Sequence, residues 1–226
     1  MPDPNLFRLR MTFCKQGRLA MLSHLEVARA LERAVRRAGL PFAVSQGFSP
    51  HMKIAFGAAL PVGVGGTHEL ADLQMTRYVP VDEALEALQR ASVPDLMVKA
   101  CDYIEPCLLK GCTYTEPHAP AASAAYPIAV YRALLSHPPT TFSVPDEVTV
   151  VRKKKEKVLC TADFLVGELE LSGAVVTFSL ESKPTGSLRP DVLLRACCEA
   201  ADAVAPEGAA PLRALSVMRT EQRAAR

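Results

Sequence analysis

The residues from Phe7 to Phe13 alternate apolar and polar side chains, which is the two-residue period of a strand with one buried face. A helical pattern follows Ser23, and Glu26 stands three residues further on, the spacing of a capping box. The apolar stripe of this helix is predicted at Leu25, Ala28, Leu31 and Val35. Gly39 and Pro41 predict its end, because glycine closes a helix and proline cannot continue it.

The rest of the first half contains five further segments with a clear pattern. Short strands are predicted at residues 42–44 and 53–56, a longer strand at 69–79, a helix at 81–91 and a strand at 96–104. The resulting order is strand, helix, strand, strand, helix, strand. This is the split βαβ order of the ferredoxin-like fold.

The second half repeats this theme after a stretch rich in proline and small residues. Its predicted elements are a strand at 128–135, a hairpin over 148–160, strands at 168–171 and 174–181, a helix at 190–203 and a strand at 212–220. At the position expected for its first helix, this half shows only a predicted turn at residues 140–144. We therefore predict an α+β protein with two ferredoxin-like halves, residues 1–105 and 125–226, that arose by duplication and are joined by a linker at 106–124.

Residues 45–63 contain too many glycines and prolines for a packed helix or strand. The breakers are Gly47, Pro50, Gly57, Pro61 and Gly63. The side chains among them are an amide, an aromatic ring, a hydroxyl, an imidazole and an ammonium, carried by Gln46, Phe48, Ser49, His51 and Lys53. This set predicts a polar loop that binds a ligand.

The helix before this loop is basic. It carries Arg29, Arg33, Arg36 and Arg37, and residues 1–53 hold nine Lys or Arg against three Asp or Glu, although the whole chain has a net charge of only +2. Guanidinium groups bind phosphates, so a nucleic-acid backbone or a phosphorylated small molecule fits this surface. The alternative is a solvated helix face on which Glu32 pairs locally with an arginine.

Two side chains have alternative interpretations. Phe48 can stack on a single-stranded base beside His51 and Lys53, or it can be a buried ring that closes the sheet. His24, at the helix start, is either a neutral hydrogen-bond or acid–base group or a histidine that simply packs. We expect the following residues to converge on one concave surface: His24, Arg33, Gln46, His51 and Lys53.

The runs over residues 22–25, 31–41 and 45–57 resemble the bacterial family of radical-SAM-linked proteins. The resemblance is specific over about residues 6–75 and looser afterwards, where it covers the basic segment Lys153–Lys157, Asp163 and the run 186–190 with Arg189. It implies a domain encoded beside a radical S-adenosylmethionine (SAM) protein or fused to its C-terminus, in a neighbourhood of RNA-processing and ribosomal-protein genes. It implies no particular reaction.

The sequence predicts no metal or cofactor of the chain's own. The cysteine spacing of a radical SAM cluster is absent, and Cys101, Cys107, Cys112 and His118 lack the paired spacing of a zinc knuckle. His24, His51 and His68 are a weaker candidate set, since nothing in their spacing requires a shared metal. We expect reduced thiols and a soluble, cytoplasmic protein, because no apolar stretch is long enough to span a membrane.

Two functions remain open at this point. The first is an accessory protein that binds RNA or presents a substrate to a radical SAM enzyme, in modification or processing of transfer or ribosomal RNA. Its predicted contacts are His24, Arg29, Arg33, Arg36, Arg37, Gln46, Phe48, Ser49, His51, Lys53, Lys153, Lys154, Lys155 and Arg189. The second is a small enzyme that acts on a phosphorylated or nucleotide substrate with His24, His51 and Lys53. Common catalytic motifs are absent from the sequence. Asp72 and Asp163 are the two carboxylates considered as candidate acid–base groups.

Overall fold

A computed structural model describes residues 7–104, 126–152 and 155–223 of the chain. These residues form a mixed α/β structure with antiparallel strand pairs and three α-helices. The chain divides into two compact units: the first comprises residues 1–62 and 66–125, and the second comprises residues 63–65 and 126–226. The predicted linker at 106–124 lies outside the described residues.

The first unit has the predicted succession of elements. They are β1 (Phe7–Lys15), α1 (His24–Arg37), β2 (Ile54–Phe56), β3 (Val64–Met75), α2 (Val81–Ala91) and β4 (Val98–Tyr103). The strand order is β4–β1–β3–β2, and each neighbouring pair is antiparallel. Residues 42–44 form only isolated bridges, so the strand predicted there is not continuous.

Helix α1 begins with the predicted capping box. The Ser23 hydroxyl accepts a hydrogen bond from the Glu26 backbone N–H, and the Glu26 carboxylate accepts one from the Ser23 N–H at 2.8 Å. These bonds lower the pKa of Glu26 below its usual value. The buried stripe is Val27, Leu31, Ala34 and Val35. The prediction for Leu25 was wrong: it is exposed, because at 100° per residue it lies far around the helix from Leu31.

The core of the first unit lies between its sheet and its two helices. Leu9 and Met11 of β1 are fully buried in it, together with Leu31 of α1 and Leu88 of α2. Side chains alternate along a strand, so Arg10, between Leu9 and Met11, lies on the opposite face of the sheet. The helices thus cover one face and leave polar side chains on the other.

Asp72 occupies the polar face at the centre of the sheet. It lies opposite Arg10 in the β1–β3 register and is only 1% exposed. The Arg10 guanidinium donates two hydrogen bonds to its carboxylate, at 2.7 and 2.9 Å, and Arg8 approaches to 3.5 Å. This geometry makes Asp72 a structural carboxylate, since its oxygens are already bound by arginine.

Strand β3 starts earlier than the sequence predicts. The strand was predicted from residue 69, yet β3 begins at Val64, so Gly65 and Gly66 belong to the strand. Gly66 has no side chain, and the Glu69 carboxylate fills the space that its Cβ would take. The glycines therefore allow a neighbouring side chain to fold back over the strand.

The second unit contains seven strands or helices. They are β5 (Ile128–Leu135), β6 (Glu147–Arg152), β7 (Lys155–Cys160), β8 (Glu170–Ser172), β9 (Val175–Glu181), α3 (Pro190–Ala203) and β10 (Ala214–Arg223). Four strands form a sheet in the order β10–β5–β9–β8, with antiparallel neighbours, and β6 pairs with β7 as the predicted hairpin. No helix lies between β5 and β6, and every residue of that connection is among the described ones.

The five cysteines in the described part of the chain are free thiols. Burial raises the pKa of Cys101 and of Cys197 to about 12, so both remain protonated at neutral pH. No group of three or more potential metal ligands occurs among the described residues, which exclude Cys107, Cys112 and His118. In the same part of the chain, no helix is both long and apolar enough to cross a membrane.

We expect Asp72→Ala to destabilise the protein by about 3 kcal/mol, because it leaves Arg10 partly buried without its carboxylate. Chemical denaturation monitored by circular dichroism measures this change. Asp163→Ala is the matched control: Asp163 is exposed, and we expect a cost below about 0.5 kcal/mol. Equal effects of the two substitutions would contradict a structural role for Asp72.

Candidate functional site

The predicted binding loop is a closed loop with an exposed tip. Its neck is held by two hydrogen bonds: the Ser45 N–H donates to the His51 carbonyl at 2.8 Å, and the His51 N–H donates to the Ser45 hydroxyl at 3.0 Å. Val44 bridges to Met52, whose side chain is buried in the core. We call residues 45–51 the 45–51 loop. Its ends are anchored while its tip faces solvent.

The most exposed side chain of this loop is Phe48, whose ring is fully accessible to solvent. The alternative that Phe48 closes the sheet is therefore wrong. Gln46, Ser49 and His51 are also exposed. Gly47 has φ +132°, a conformation that side-chain-bearing residues rarely adopt, so the tip requires glycine there.

Lys53 leads from the loop into the sheet. Its backbone N–H donates to Ala43 and its carbonyl accepts from Gln74, which fixes the chain beside β3. Met52 and Ile54, on either side of it, belong to the core or pack against it. Alternation along the extended chain therefore places the Lys53 side chain on the sheet face away from the helices.

The four arginines of α1 are exposed but differ in their contacts. Arg37 donates to the Ala91 carbonyl at 2.7 Å, and Arg36 lies 4.0 Å from Glu32 and 5.9 Å from the centre of the Phe42 ring. The local Glu32 pairing considered from the sequence is thus present for Arg36. Arg29 and Arg33 form no hydrogen bond or ion pair with any described residue. They remain available for a phosphate.

His24 lies at the other end of α1, beside a small cleft of the first unit. Its ring meets the Phe56 ring edge-on, with centres 5.4 Å apart. The cleft is also lined by Lys15, Glu69 and the backbone at Gly57–Leu60, and we call it the His24 cleft. Its volume is about 20 Å³, which is room for about one water molecule.

Lys15 and Glu69 are functional candidates that sequence reasoning missed. They are 2% and 6% exposed, respectively, and such burial is unusual for charged side chains. The sequence does contain one signal for Lys15. It stands two residues after Phe13 and continues the row of inward-facing positions Leu9, Met11 and Phe13 on β1. Nothing in the sequence pattern distinguished Glu69 from an ordinary strand carboxylate.

His24 and His51 share no contact among the described residues. The His24 ring meets Phe56, whereas His51 is bonded to Ser45 at the neck of the 45–51 loop, five residues before Phe56. Arg33 lies nine residues beyond His24 along α1, about 14 Å. The His24 cleft and the 45–51 loop thus share no lining residue, and the convergence of these side chains stays a prediction. Among the described residues, no group of three or more potential metal ligands occurs, and this covers the set His24, His51 and His68.

The remaining predicted contacts lie in the second unit or outside the described residues. Arg189 donates two hydrogen bonds to Asp191, at 3.0 and 2.7 Å, and is therefore already paired at the start of α3. Lys153 and Lys154 lie outside the described residues, and Lys155 is the first residue of β7. Asp163 is exposed in a short 3₁₀ turn after β7.

Comparison with known proteins supplies the family of this chain. The sequence model of one bacterial family matches residues 8–190, which is more than half of the chain and spans both the 45–51 loop and the His24 cleft. The search of curated proteins finds no match. The description of the family mentions neither radical SAM enzymes nor RNA, so both remain proposals. The chain belongs to the family DUF2344, described as an uncharacterized protein conserved in bacteria.

Proposed function

We propose that this protein binds single-stranded RNA and presents it to a radical SAM enzyme that modifies or processes transfer or ribosomal RNA. The observation that carries the proposal is the fully exposed ring of Phe48 at the tip of a loop with a fixed neck. An aromatic ring in water gains free energy when a base stacks on it, about 1–3 kcal/mol per base. Every base offers such a surface, so this contact requires no particular sequence.

The anchored neck makes the loop suited to this role. Its two ends are fixed by backbone bonds between Ser45 and His51 and by the buried Met52. Fewer conformations are then lost when a ligand binds, which lowers the entropic cost of association. His51 and Lys53 follow the ring along the chain and supply an imidazole and an ammonium for the RNA backbone.

Electrostatic attraction supports the same function. Arg29 and Arg33 are exposed on α1 and form no hydrogen bond or ion pair with a described residue, and guanidinium groups bind phosphate bidentately. Arg36 and Arg37 add to the positive electrostatic potential of α1. Their side chains also contact other groups of the first unit, the Phe42 ring and the Ala91 carbonyl. In the second unit, Arg189 and the lysines at 153–155 are further proposed phosphate contacts.

We also propose that the fold is a duplicated ferredoxin-like fold. The strand orders β4–β1–β3–β2 and β10–β5–β9–β8 correspond element by element, and the β6–β7 hairpin stands where the second unit lacks a first helix. Domains of this kind often bind RNA, although fold alone is an argument by analogy. The link to a radical SAM enzyme rests on the sequence resemblance at residues 22–57.

The alternative, an enzyme that uses His24, His51 and Lys53 together, is less favoured by the geometry. These groups would have to reach one substrate, and general acid–base catalysis requires hydrogen-bond distances. His24 contacts Phe56, whereas His51 is bonded to Ser45 at the loop neck, so the two histidines share no contact among the described residues. A binding protein needs no such convergence, since RNA can span both places.

Copurification tests the proposed partner. The tagged full chain, co-expressed with the radical SAM protein encoded near its gene, should retain that protein and a bound RNA that sequencing identifies. The double variant Phe48→Ala with His51→Ala should recover less RNA at equal protein yield. Recovery of neither enzyme nor RNA from wild type would contradict the proposal.

We expect Phe48→Ala and His51→Ala each to weaken binding of an RNA 20-mer of adenine and uracil by at least about fivefold, because each removes a direct contact. Neither should lower the free energy of unfolding by more than about 0.5 kcal/mol, since both side chains are exposed. Fluorescence anisotropy and thermal unfolding measure the two effects. Val204→Ala, which removes an exposed apolar side chain elsewhere, is the control and should bind normally. Unchanged affinity of the loop variants would exclude the loop from the site.

The double variant Arg29→Gln with Arg33→Gln should reduce the salt dependence of RNA binding. Loss of two phosphate contacts to a single strand lowers the slope of log affinity against log salt concentration by about 1.4. Titrations at several salt concentrations give this slope. Arg90→Gln with Arg195→Gln removes the same charge from exposed arginines of other helices and should leave the slope nearly unchanged. Equal slopes for the two double variants would show a general charge effect only.

A further inference from the structure

A pocket of the second unit takes no part in the contacts described above. It opens between the end of α3 and two loops, residues 136–146 and 204–213, and its volume is about 220 Å³. All of its lining residues belong to the second unit. A space of this size holds several water molecules, so it admits a small organic group as well as a single ion.

The walls of the pocket are mostly apolar. Pro138 and Pro139 line it from the loop after β5, and Val204 and Pro206 line it where the chain leaves α3. Proline rings restrict the backbone, so these walls keep their shape when a ligand enters. An aliphatic chain that lies against them is removed from water, which favours binding.

Asp202 supplies the charge of the pocket. It is an exposed residue in the last turn of α3, and its carboxylate accepts a hydrogen bond from the Leu212 N–H at 2.8 Å. Asp202 and Leu212 both line the pocket, so the carboxylate stands at its wall. Within the described part of the chain, its second oxygen has no hydrogen-bond donor and Asp202 has no ion pair. That oxygen can accept a hydrogen bond from a ligand.

A carboxylate at this position opposes the helix dipole. The carboxyl end of a helix carries a partial negative charge, which cations stabilise and anions destabilise. The last turns of α1 and α2 accordingly contain Arg36, Arg37 and Arg90, whereas the last turn of α3 has no basic residue. Arg213, next to Leu212, forms no ion pair with a described residue. Two sources of negative potential thus meet at the pocket, and a cation would stabilise both.

Hydroxyl groups add to the acceptors of the pocket. Thr140 and Thr141 line it and are exposed, and neither hydroxyl has a hydrogen-bond partner among the described residues. His137 is held beside them by a bond of 3.0 Å between its ring nitrogen Nδ1 and the Ser136 hydroxyl. An ammonium group has three N–H donors, and carboxylate and hydroxyl oxygens accept such bonds.

We propose that this pocket binds a primary ammonium group at the end of a short aliphatic chain. The Asp202 carboxylate pairs with the ammonium, the threonine hydroxyls accept its other N–H groups, and the chain lies along the proline and valine walls. A free aliphatic amine and the lysine side chain of a protein share this chemistry. The inference goes beyond RNA binding, and neither the 45–51 loop nor α1 takes part in it.

Titration of the full chain with 1-butylamine hydrochloride, followed by the backbone amide signals in NMR spectra, tests the inference. The amine is charged at neutral pH, and low ionic strength limits the screening of the carboxylate. We expect saturable binding at millimolar concentration, with the largest shifts at Thr140, Thr141 and Leu212. 1-Butanol and butyrate keep the chain without the positive charge and should bind at least about tenfold more weakly.

Two results with the wild-type protein would overturn the inference. One is binding of 1-butanol as tight as that of 1-butylamine, which would show an apolar pocket without preference for a cation. The other is the lack of a saturable shift at the lining residues with millimolar amine. Neither result depends on a variant that has to fold.

Asp202→Asn removes the charge while it keeps the local structure. The amide oxygen still accepts from the Leu212 N–H, and loss of a negative charge at this end of a helix does not destabilise it. We expect 1-butylamine affinity to fall by at least about fivefold. Glu199→Gln removes the same charge from an exposed position of α3 that does not line the pocket, and it should bind normally. Wild-type affinity of folded Asp202→Asn, or equal losses in both variants, would refute the assignment to Asp202.

A blocked lysine distinguishes the two sources of the ammonium group. Nα-acetyl-lysine methylamide carries the same chain and charge on a peptide backbone. Tighter binding of this compound than of 1-butylamine would identify a lysine of a protein partner as the ligand. Binding weaker by about tenfold or more would identify a free amine, because the pocket then rejects the backbone. Either result retains the ammonium site.

Discussion

The antiparallel pairing of β1 with β3 is the contact on which the first unit depends. If β1 slipped by one residue in this register, every one of its side chains would turn to the other face of the sheet. Leu9 and Met11 would leave the core, and Arg10 would enter it. The bidentate pair of Arg10 with Asp72 also favours the observed register, since only this alignment places guanidinium and carboxylate directly opposite each other.

The same strand pair supports both candidate sites of the first unit. At the end of β1, Lys15 meets Gly66 and the folded-back Glu69, and the start of α1 brings His24 beside them. On its other side β3 carries β2, and the chain that leads into β2 contains the anchored 45–51 loop. A rigid sheet thereby supports one enclosed polar site and one exposed aromatic site.

These sites differ in the physical chemistry that they offer. The 45–51 loop presents an apolar ring and polar side chains in water, where contacts are adaptable and charges are screened. The His24 cleft presents charged groups with little access to water, where hydrogen bonds are stronger and a mismatched partner costs more.

The sequence alone determined most elements and the exposed loop. Alternation in β1, the capping box at Ser23 and the breakers around Phe48 are local signals, and the strand, the helix start and the exposed loop follow from them. The burial of Leu25 was mispredicted because the stripe on α1 depends on which side of the helix meets the sheet. Only the tertiary structure placed His24 against Phe56 and brought the Glu69 carboxylate to Gly66, the residue opposite Lys15. Those relations depend on strand register and on the missing side chain of Gly66, and neither leaves a periodic pattern in the chain.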